Sequence, residues 1–252
     1  MPPDQMSTST PVKRKAPPTK TAARKRSSYM EITGQSKKTP AEAMASASFA
    51  DFSLEGAVTL LVGHSEQVAF AHSSHLVRES QFFAAAMKTE WVEGQTRTIK
   101  LPEEDPDAIA HYISYLYTGR LFTEDITVKV GDGIESCFQL LSKLYVTGER
   151  FIHPKFQNVV LKEIIRLTRL PDKDRMYWYP TGEDVNIVYR GTTHGSPGRR
   201  LMVDLHVVMG VKEWMDDELE VEFVTDVAKS LYEKLAGLGL REQDLNIDAY
   251  MH

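Results

Sequence analysis

Between residues 105 and 119 the apolar positions recur at helical spacing. Ile109, Tyr112, Ile113, Leu116 and Tyr117 fall at i, i+3, i+4, i+7 and i+8, which places five large side chains on one helical stripe. Burying such a stripe contributes roughly 7–15 kcal/mol at ~1.5–3 kcal/mol per side chain, an upper figure because unfolded chains are already partly collapsed. Pro106 suits the first turn of this helix and Asp105 its cap. A helix of this kind needs a layer to pack on, and the chain before it supplies one. The β-rich runs VTLLV at 58–62 and QVAFA at 67–71, joined by a turn at 63–66, predict a hairpin. A third strand is expected at 98–101, before Pro102.

Helical spacing governs most of what surrounds these strands. Residues 80–88 read as a short helix with Phe82, Phe83, Ala86 and Met87 inward. A polar loop at 123–133 leads to a helix at 134–147 whose apolar face is Phe138, Leu141, Leu144 and Tyr145. Pro154 opens another, with Phe156, Val159, Val160, Ile164 and Leu167 in step, so the two form a helical hairpin. From 169 to 200 the pattern breaks: Pro171, Pro180, Gly191, Gly195 and Gly198 mark turns around a short apolar piece at 185–189. Ser196 and Pro197 then read as cap and first helical residue, followed by Leu201, Met202, Leu205, Val208 and Met209. A last helix carries Val224, Val227, Leu231 and Leu235 and ends near Gly237 and Gly239, after which the final residues are expected to fray. The Ala-rich piece at 41–50 predicts a short helix. The fold class is α+β.

Several of these residues, taken in order, carry a resemblance. His72, Leu76, Ser80 and Phe83, then Trp91-Val92-Glu93, Ile99-Lys100-Leu101-Pro102 and Tyr117-Thr118-Gly119 resemble a BTB/POZ domain. The likeness is closest to the fungal type, in which a phrase similar to SQFFAAAMKTEWVEG…IKLPEEDP…YLYTGRL recurs. It covers residues 58–167 well and the rest loosely. It implies a small three-stranded or larger sheet capped by a helical cluster, in a non-enzymatic module that binds proteins and is commonly dimeric. The chain then divides into a disordered basic arm (1–52), a BTB/POZ domain (53–169), an irregular linker with a short helix (170–200) and a C-terminal helical extension (201–252).

Two roles follow from the resemblance. One is adaptor duty for a cullin-type ubiquitin ligase, in which a hydrophobic-x-Glu loop pattern helps grip the cullin scaffold; Phe122-Thr123-Glu124 matches it, just after Tyr117-Thr118-Gly119. A plain solvated loop would read the same way. The other is transcriptional, through a charged dimer groove with an Asp before the first strand's Val and a Lys or Arg after the His. Here those positions are Ala57 and Ser73, which puts corepressor recruitment in doubt. The aromatic usually three residues before the His is Ala69, with Phe70 adjacent. A homodimer follows by analogy only, because the segment at 41–52 that would swap between subunits is short and small-sided.

Charge changes the picture at one end. Residues 1–50 hold nine Lys/Arg against three acids, net +6; of the chain's 30 basic and 35 acidic residues, 21 and 32 remain, so the body is net −11. A body of that sign does not attract nucleic acid by its field, whereas the arm has the charge to do so. Pro2, Pro3, Pro11, Pro17, Pro18 and Pro40 interrupt residues 1–40, which hold few large apolar residues to offset ~1–2 kcal/mol of backbone entropy per ordered residue. Within the arm, Lys13-Arg14-Lys15 and Arg24-Lys25-Arg26 look like a two-cluster nuclear import signal with a short spacer, or else a solubilising tail. Cys137 is the only cysteine, so no internal disulfide forms, which fits the nucleus and/or cytoplasm. No run approaches the ~18 apolar residues of a membrane span, and no secretory signal is expected.

The chain offers little for catalysis. Gly63-His64-Ser65-Glu66-Gln67 begins like a nucleophile elbow but lacks the last glycine and the strand-to-helix setting. Gly131-Asp132-Gly133 and the stretch 191–200 lack the Gly-Lys-Ser/Thr ending of a phosphate loop. His72 and His75 sit at i, i+3 with no second ligand pair, so no metal or cofactor is expected, and His72 reads as a structural residue at a strand–helix junction. Tyr177-Trp178-Tyr179 could stack on a base or staple its loop to the core. The chain is read as a non-enzyme.

Overall fold

The computed structural model describes residues 14–15, 56–121, 134–171, 175–210, 212–215 and 218–236. In chain order the elements are β1 (Arg14–Lys15), β2 (Ala57–Val62), β3 (Gln67–His72), α1 (Ser73–Glu79), α2 (Gln81–Ala86), α3 (Val92–Thr96), β4 (Thr98–Leu101), α4 (Pro106–Thr118), α5 (Ile134–Arg150), α6 (Pro154–Thr168), β5 (Met176–Tyr177), α7 (Glu183–Gly191), α8 (Pro197–Met209), a 3₁₀ turn (Lys212–Trp214) and α9 (Val221–Ala236).

The alternation of the strands sets the sheet. Strand order is β3-β2-β4, with β2 antiparallel to β3 and parallel to β4, so the sheet is small and mixed. Val58, Leu60 and Val62 of β2, Ala71 of β3 and Ile99 and Leu101 of β4 all point inward and are buried. The parallel β2–β4 pair needs a crossover, which α1, α2 and α3 provide. Ser80 anchors that crossover. Its hydroxyl accepts from the Phe83 amide, capping α2, and donates to the Phe151 carbonyl at 2.7 Å.

Helix α4 starts where Asp105 Oδ1 accepts from the amides of Asp107 and Ala108 at 3.0 and 3.1 Å, with Pro106 next. It ends at Gly119, whose φ of +67° is the left-handed value glycine adopts freely. The buried face is turned slightly from the expected stripe. Ile109, Tyr112 and Leu116 are buried as spacing requires, but Ala108 and Tyr115 join them, while Tyr117 reaches the surface. Around Tyr112, the rings of Phe83, Phe151 and Phe156 lie 6.3, 5.1 and 4.9 Å away, centroid to centroid. Helices α5 and α6 pack on this cluster through Phe138, Leu141, Leu144, Tyr145, Phe156, Val160, Ile164 and Leu167.

Beyond α6, residues 170–200, read as an irregular linker with a short helix, contain α7 and the first turn of α8. Val185, Val188 and Tyr189 of α7 belong to the same hydrophobic cluster as the sheet. Only four apolar residues lie among 185–189, too few to fix the helix's bounds. Ser196 takes the N-cap position of α8 but does not cap it. Its hydroxyl donates to Glu149 Oε2 at 2.7 Å and accepts from the Tyr145 hydroxyl at 2.8 Å. The Tyr145 hydroxyl also accepts from the Gly198 amide at 2.9 Å. A Cβ at Gly198 would lie 2.3 Å from the Tyr145 ring, so this close approach requires glycine.

The stripes of α8 and α9 are shifted as well. Helix α8 buries Met202, Val203 and His206 and exposes Val208; α9 buries Phe223 and Val227 and leaves Val224, Leu231 and Leu235 at the surface. Arg199 fastens these helices: its guanidinium donates to the carbonyls of Tyr189 and Thr192, meets Glu222 Oε2 at 2.7 Å, and lies 4.6 Å from the Tyr189 ring centroid. Asn186 secures the loop before α9, donating to the Glu218 carbonyl and accepting from the Glu220 amide, both at 3.0 Å. Two residues of the arm expected to be disordered, Arg14 and Lys15, form an antiparallel ladder with Tyr177 and Met176.

A candidate protein-interaction surface

The inward alternation of the sheet leaves its other face open. Val68 and Phe70 on β3 are 59% and 63% exposed, and their register puts them opposite Leu61 and Thr59 of β2. Lys100 of β4 flanks Leu61 on the far side and pairs with Glu66 at 2.8 Å. Val68 and Phe70 thus leave an apolar strip in solvent beside the Lys100–Glu66 pair.

At the edge of this face lies an aromatic group. The Tyr117 hydroxyl accepts from the His72 amide at 2.9 Å and lies 2.6 Å from His72 Nδ1. The His75 ring stacks on Tyr117 at 4.3 Å, and its Nδ1 lies 3.3 Å from the Leu116 carbonyl. These contacts tie the start of α1 to the end of α4.

The other singled-out residues have structural settings. Leu76, Ser80 and Phe83 are buried, and Gly119 ends α4. Phe122, Thr123 and Glu124 lie outside the described residues, as do Lys13, Arg24, Lys25, Arg26 and Gly131-Asp132-Gly133. The Gly63–Gln67 stretch is a hairpin turn. Tyr179 packs on Trp214 at 5.3 Å, and Trp178 lies against the core. Burial pushes the Cys137 thiol up to about 11, with Glu163 adding to the shift, so it stays protonated at neutral pH. Among the described residues no group of three His, Cys, Asp or Glu is placed to hold a metal, and no helix is long and apolar enough to cross a membrane.

A cavity of about 260 Å³ lies between the 103–105 loop, α5 and α7. Its walls are charged, but the charges answer one another: Lys143 meets Asp105 at 2.8 Å, Arg150 meets Glu104 at 3.0 Å, and Arg190 meets Glu220 at 2.6 Å. Burial raises the Asp105 carboxyl, but the Lys143 ammonium and the amides of Ala108 and Asp107 outweigh it and hold the group below its usual range. The cavity therefore joins elements rather than presenting unpaired charge. No local pattern marks this cavity, because its ion-pair partners lie 30 to 46 residues apart.

The domain is a small mixed sheet, open on one side and backed by a helical cluster. Residues 53–147 match the model of the BTB/POZ domain family, and this part of the chain is a BTB/POZ domain followed by C-terminal helices. Such domains mediate protein–protein interactions, often dimerise and are generally non-enzymatic. The matched stretch ends inside α5. A search of curated proteins finds no match to the chain.

Proposed function

We propose that the chain is a non-enzymatic adaptor that holds a polypeptide partner on the open sheet face of its BTB/POZ domain and joins it to a cullin-type ubiquitin ligase. The observation that carries the first part is the exposure of Phe70 and Val68 on an ordered strand, side by side with Leu61. Phe122-Thr123-Glu124, directly after α4, supports the second part through its match to the hydrophobic-x-Glu grip pattern. The fungal-type phrase across α2 to α4 is consistent with the same module. Ala57 and Ser73 leave the dimer groove uncharged, which disfavours corepressor recruitment there.

Phe122→Ala should weaken co-elution with a cullin N-terminal domain; unchanged co-elution, or none from the parent chain, argues against the ligase role. Phe70→Glu should remove the sheet-face partner and leave the cullin contact intact.

A second reading has one supporting observation, the paired clusters Lys13-Arg14-Lys15 and Arg24-Lys25-Arg26. It makes the chain a nuclear regulator whose arm contacts nucleic acid. Binding would then fall steeply with salt and be lost when both clusters are neutralised. Binding that persists in that variant excludes the arm.

A further inference from the structure

Hydrogen bonds around β3 fix which way its backbone points. The Ser73 amide donates to the Gly56 carbonyl at 2.9 Å, so these two residues are a bonded pair. The register runs on from them without a break, and the residues of β3 that bond to β2 are therefore Gln67, Ala69 and Ala71. On β2 the alternate residues turn the other way: Thr59 donates to the Arg97 carbonyl at 2.8 Å and Gly63 to the Leu101 carbonyl at 2.9 Å. By the same alternation the amides and carbonyls of Val68, Phe70 and His72 point away from β2, out of the sheet's edge. The His72 amide agrees, since it donates outward to the Tyr117 hydroxyl.

Strand β3 is the outermost on this side, in the order β3-β2-β4. Among the described residues no hydrogen bond reaches the outward groups of Val68 or Phe70. Protein edges are ordinarily blunted by charge, proline or a bulge. Gln67-Val68-Ala69-Phe70-Ala71-His72 has no lysine, arginine, acid or proline, and its register with β2 has no bulge. The two residues that aim their backbone outward also hold their apolar side chains in solvent on the open face.

We infer that this edge takes an added strand: an extended peptide segment of a partner pairs antiparallel with Val68 and Phe70 and lays apolar side chains, two residues apart, beside theirs. The inference rests on the sheet face being the partner's seat, and it names the form in which the partner binds. A strand added to an edge draws affinity from main-chain hydrogen bonds and selectivity from alternate side chains. In antiparallel pairing the residues opposite Val68 and Phe70 exchange both hydrogen bonds with them and point to the same face. Those two positions therefore favour β-branched or aromatic residues and exclude proline. Tyr117 sets one end of the ladder, because its hydroxyl already holds the His72 amide, and the turn at 63–66 sets the other.

Fluorescence anisotropy on the full chain tests this with a labelled synthetic peptide, Lys-Thr-Val-Thr-Val-Thr-Lys, and with the same peptide N-methylated at both valines. Methylation removes the donors that face β3 and keeps the side chains. The unmethylated peptide should bind at least tenfold more tightly. Val68→Pro removes one outward amide where an edge strand tolerates proline; it should weaken binding at least tenfold with far-UV dichroism unchanged. Val68→Ala keeps the amide and should weaken binding less. The two peptides read the same contact without any change to the protein. Equal binding of both, lost in Phe70→Glu, would overturn strand addition and leave the sheet-face seat standing. Binding of neither at millimolar concentration would overturn strand addition, as would a peptide contact that Phe70→Glu and Val68→Pro both leave intact. A mass by light scattering that doubles with concentration in the parent, and not in Val68→Pro, would give the edge to a second copy instead.

Discussion

The sheet-and-α4 half of the molecule and the α7–α9 layer share one hydrophobic cluster but are held by different physics. The first closes on rings and aliphatic side chains: Phe83, Tyr112, Phe151 and Phe156 meet at 4.7 to 6.3 Å, with few polar groups among them. The second is pinned by buried polar side chains that reach across elements, Arg199 to two carbonyls and Glu222, Asn186 to the 218–220 backbone. Apolar contact is non-directional and tolerates small shifts. A buried guanidinium does not, because every carbonyl it leaves becomes an unsatisfied group. The C-terminal layer should therefore be the more brittle of the two against single polar changes, and the sheet half against loss of volume.

The strongest challenge to this contrast is Phe83→Ala, which should cost about 3–5 kcal/mol through lost burial and a cavity beside Tyr112 and Phe151. Denaturant titration followed by far-UV dichroism and by Trp214 fluorescence should give coincident midpoints, both lowered. A Trp214 midpoint that stays put would mean that the two halves unfold separately.

Arg199→Met comes next, at about 2–4 kcal/mol, since it orphans the carbonyls of Tyr189 and Thr192 at ~1–3 kcal/mol each. Arg199→Lys should recover little of this, because one ammonium cannot span the sites that the planar fork reaches. Full recovery by lysine would show that the charge matters and the fork does not.

The smallest effect is in pH. Burial beside Trp214 and Phe223 lowers the pKa of His206, against the opposing pull of the Met202 carbonyl. The folded state keeps the ring neutral while the unfolded chain titrates near ~6.5. Its stability is thus fully present above that value and is lost as pH falls below it. Melting curves between pH 7.5 and 5.5 should show a shallower decline in His206→Phe than in the parent. The decline should not vanish, because burial lowers His153 too, only partly countered by Glu79. The depressed carboxylates of Glu79, Asp105 and Glu222 act in a lower window, below the ordinary carboxylate range. An unchanged slope would remove His206 from the account.

The same contrast explains what could be read from residues alone. Strands β2, β3 and β4 and helices α4, α5 and α6 were visible because each has a clear period and ordinary punctuation: Asp105-Pro106 at one helix start, Gly119 at its end. Helix α7 was legible only as a short helix within a linker, because four apolar residues between turns do not fix its bounds. On α9 both Phe223/Val227 and Val224/Leu231/Leu235 are helical stripes, and only contact with Tyr189 and His206 decides that Phe223 faces inward. The open sheet face was not legible, since the runs 58–62 and 67–71 predict a hairpin without saying which of its sides is covered. Nothing in the local pattern foretold the Tyr145–Ser196–Glu149 knot, in which Ser196 lies 51 and 47 residues from the other two.

That knot bears on how the protein can be handled. The BTB/POZ match stops at residue 147, two positions after Tyr145 and before Glu149. A recombinant fragment trimmed to that border would truncate α5 and strip the cover from Tyr145, Phe138 and Leu141, leaving greasy side chains in water. Such a piece should go to inclusion bodies, whereas one running through residue 236 keeps its lid and should purify as a soluble species.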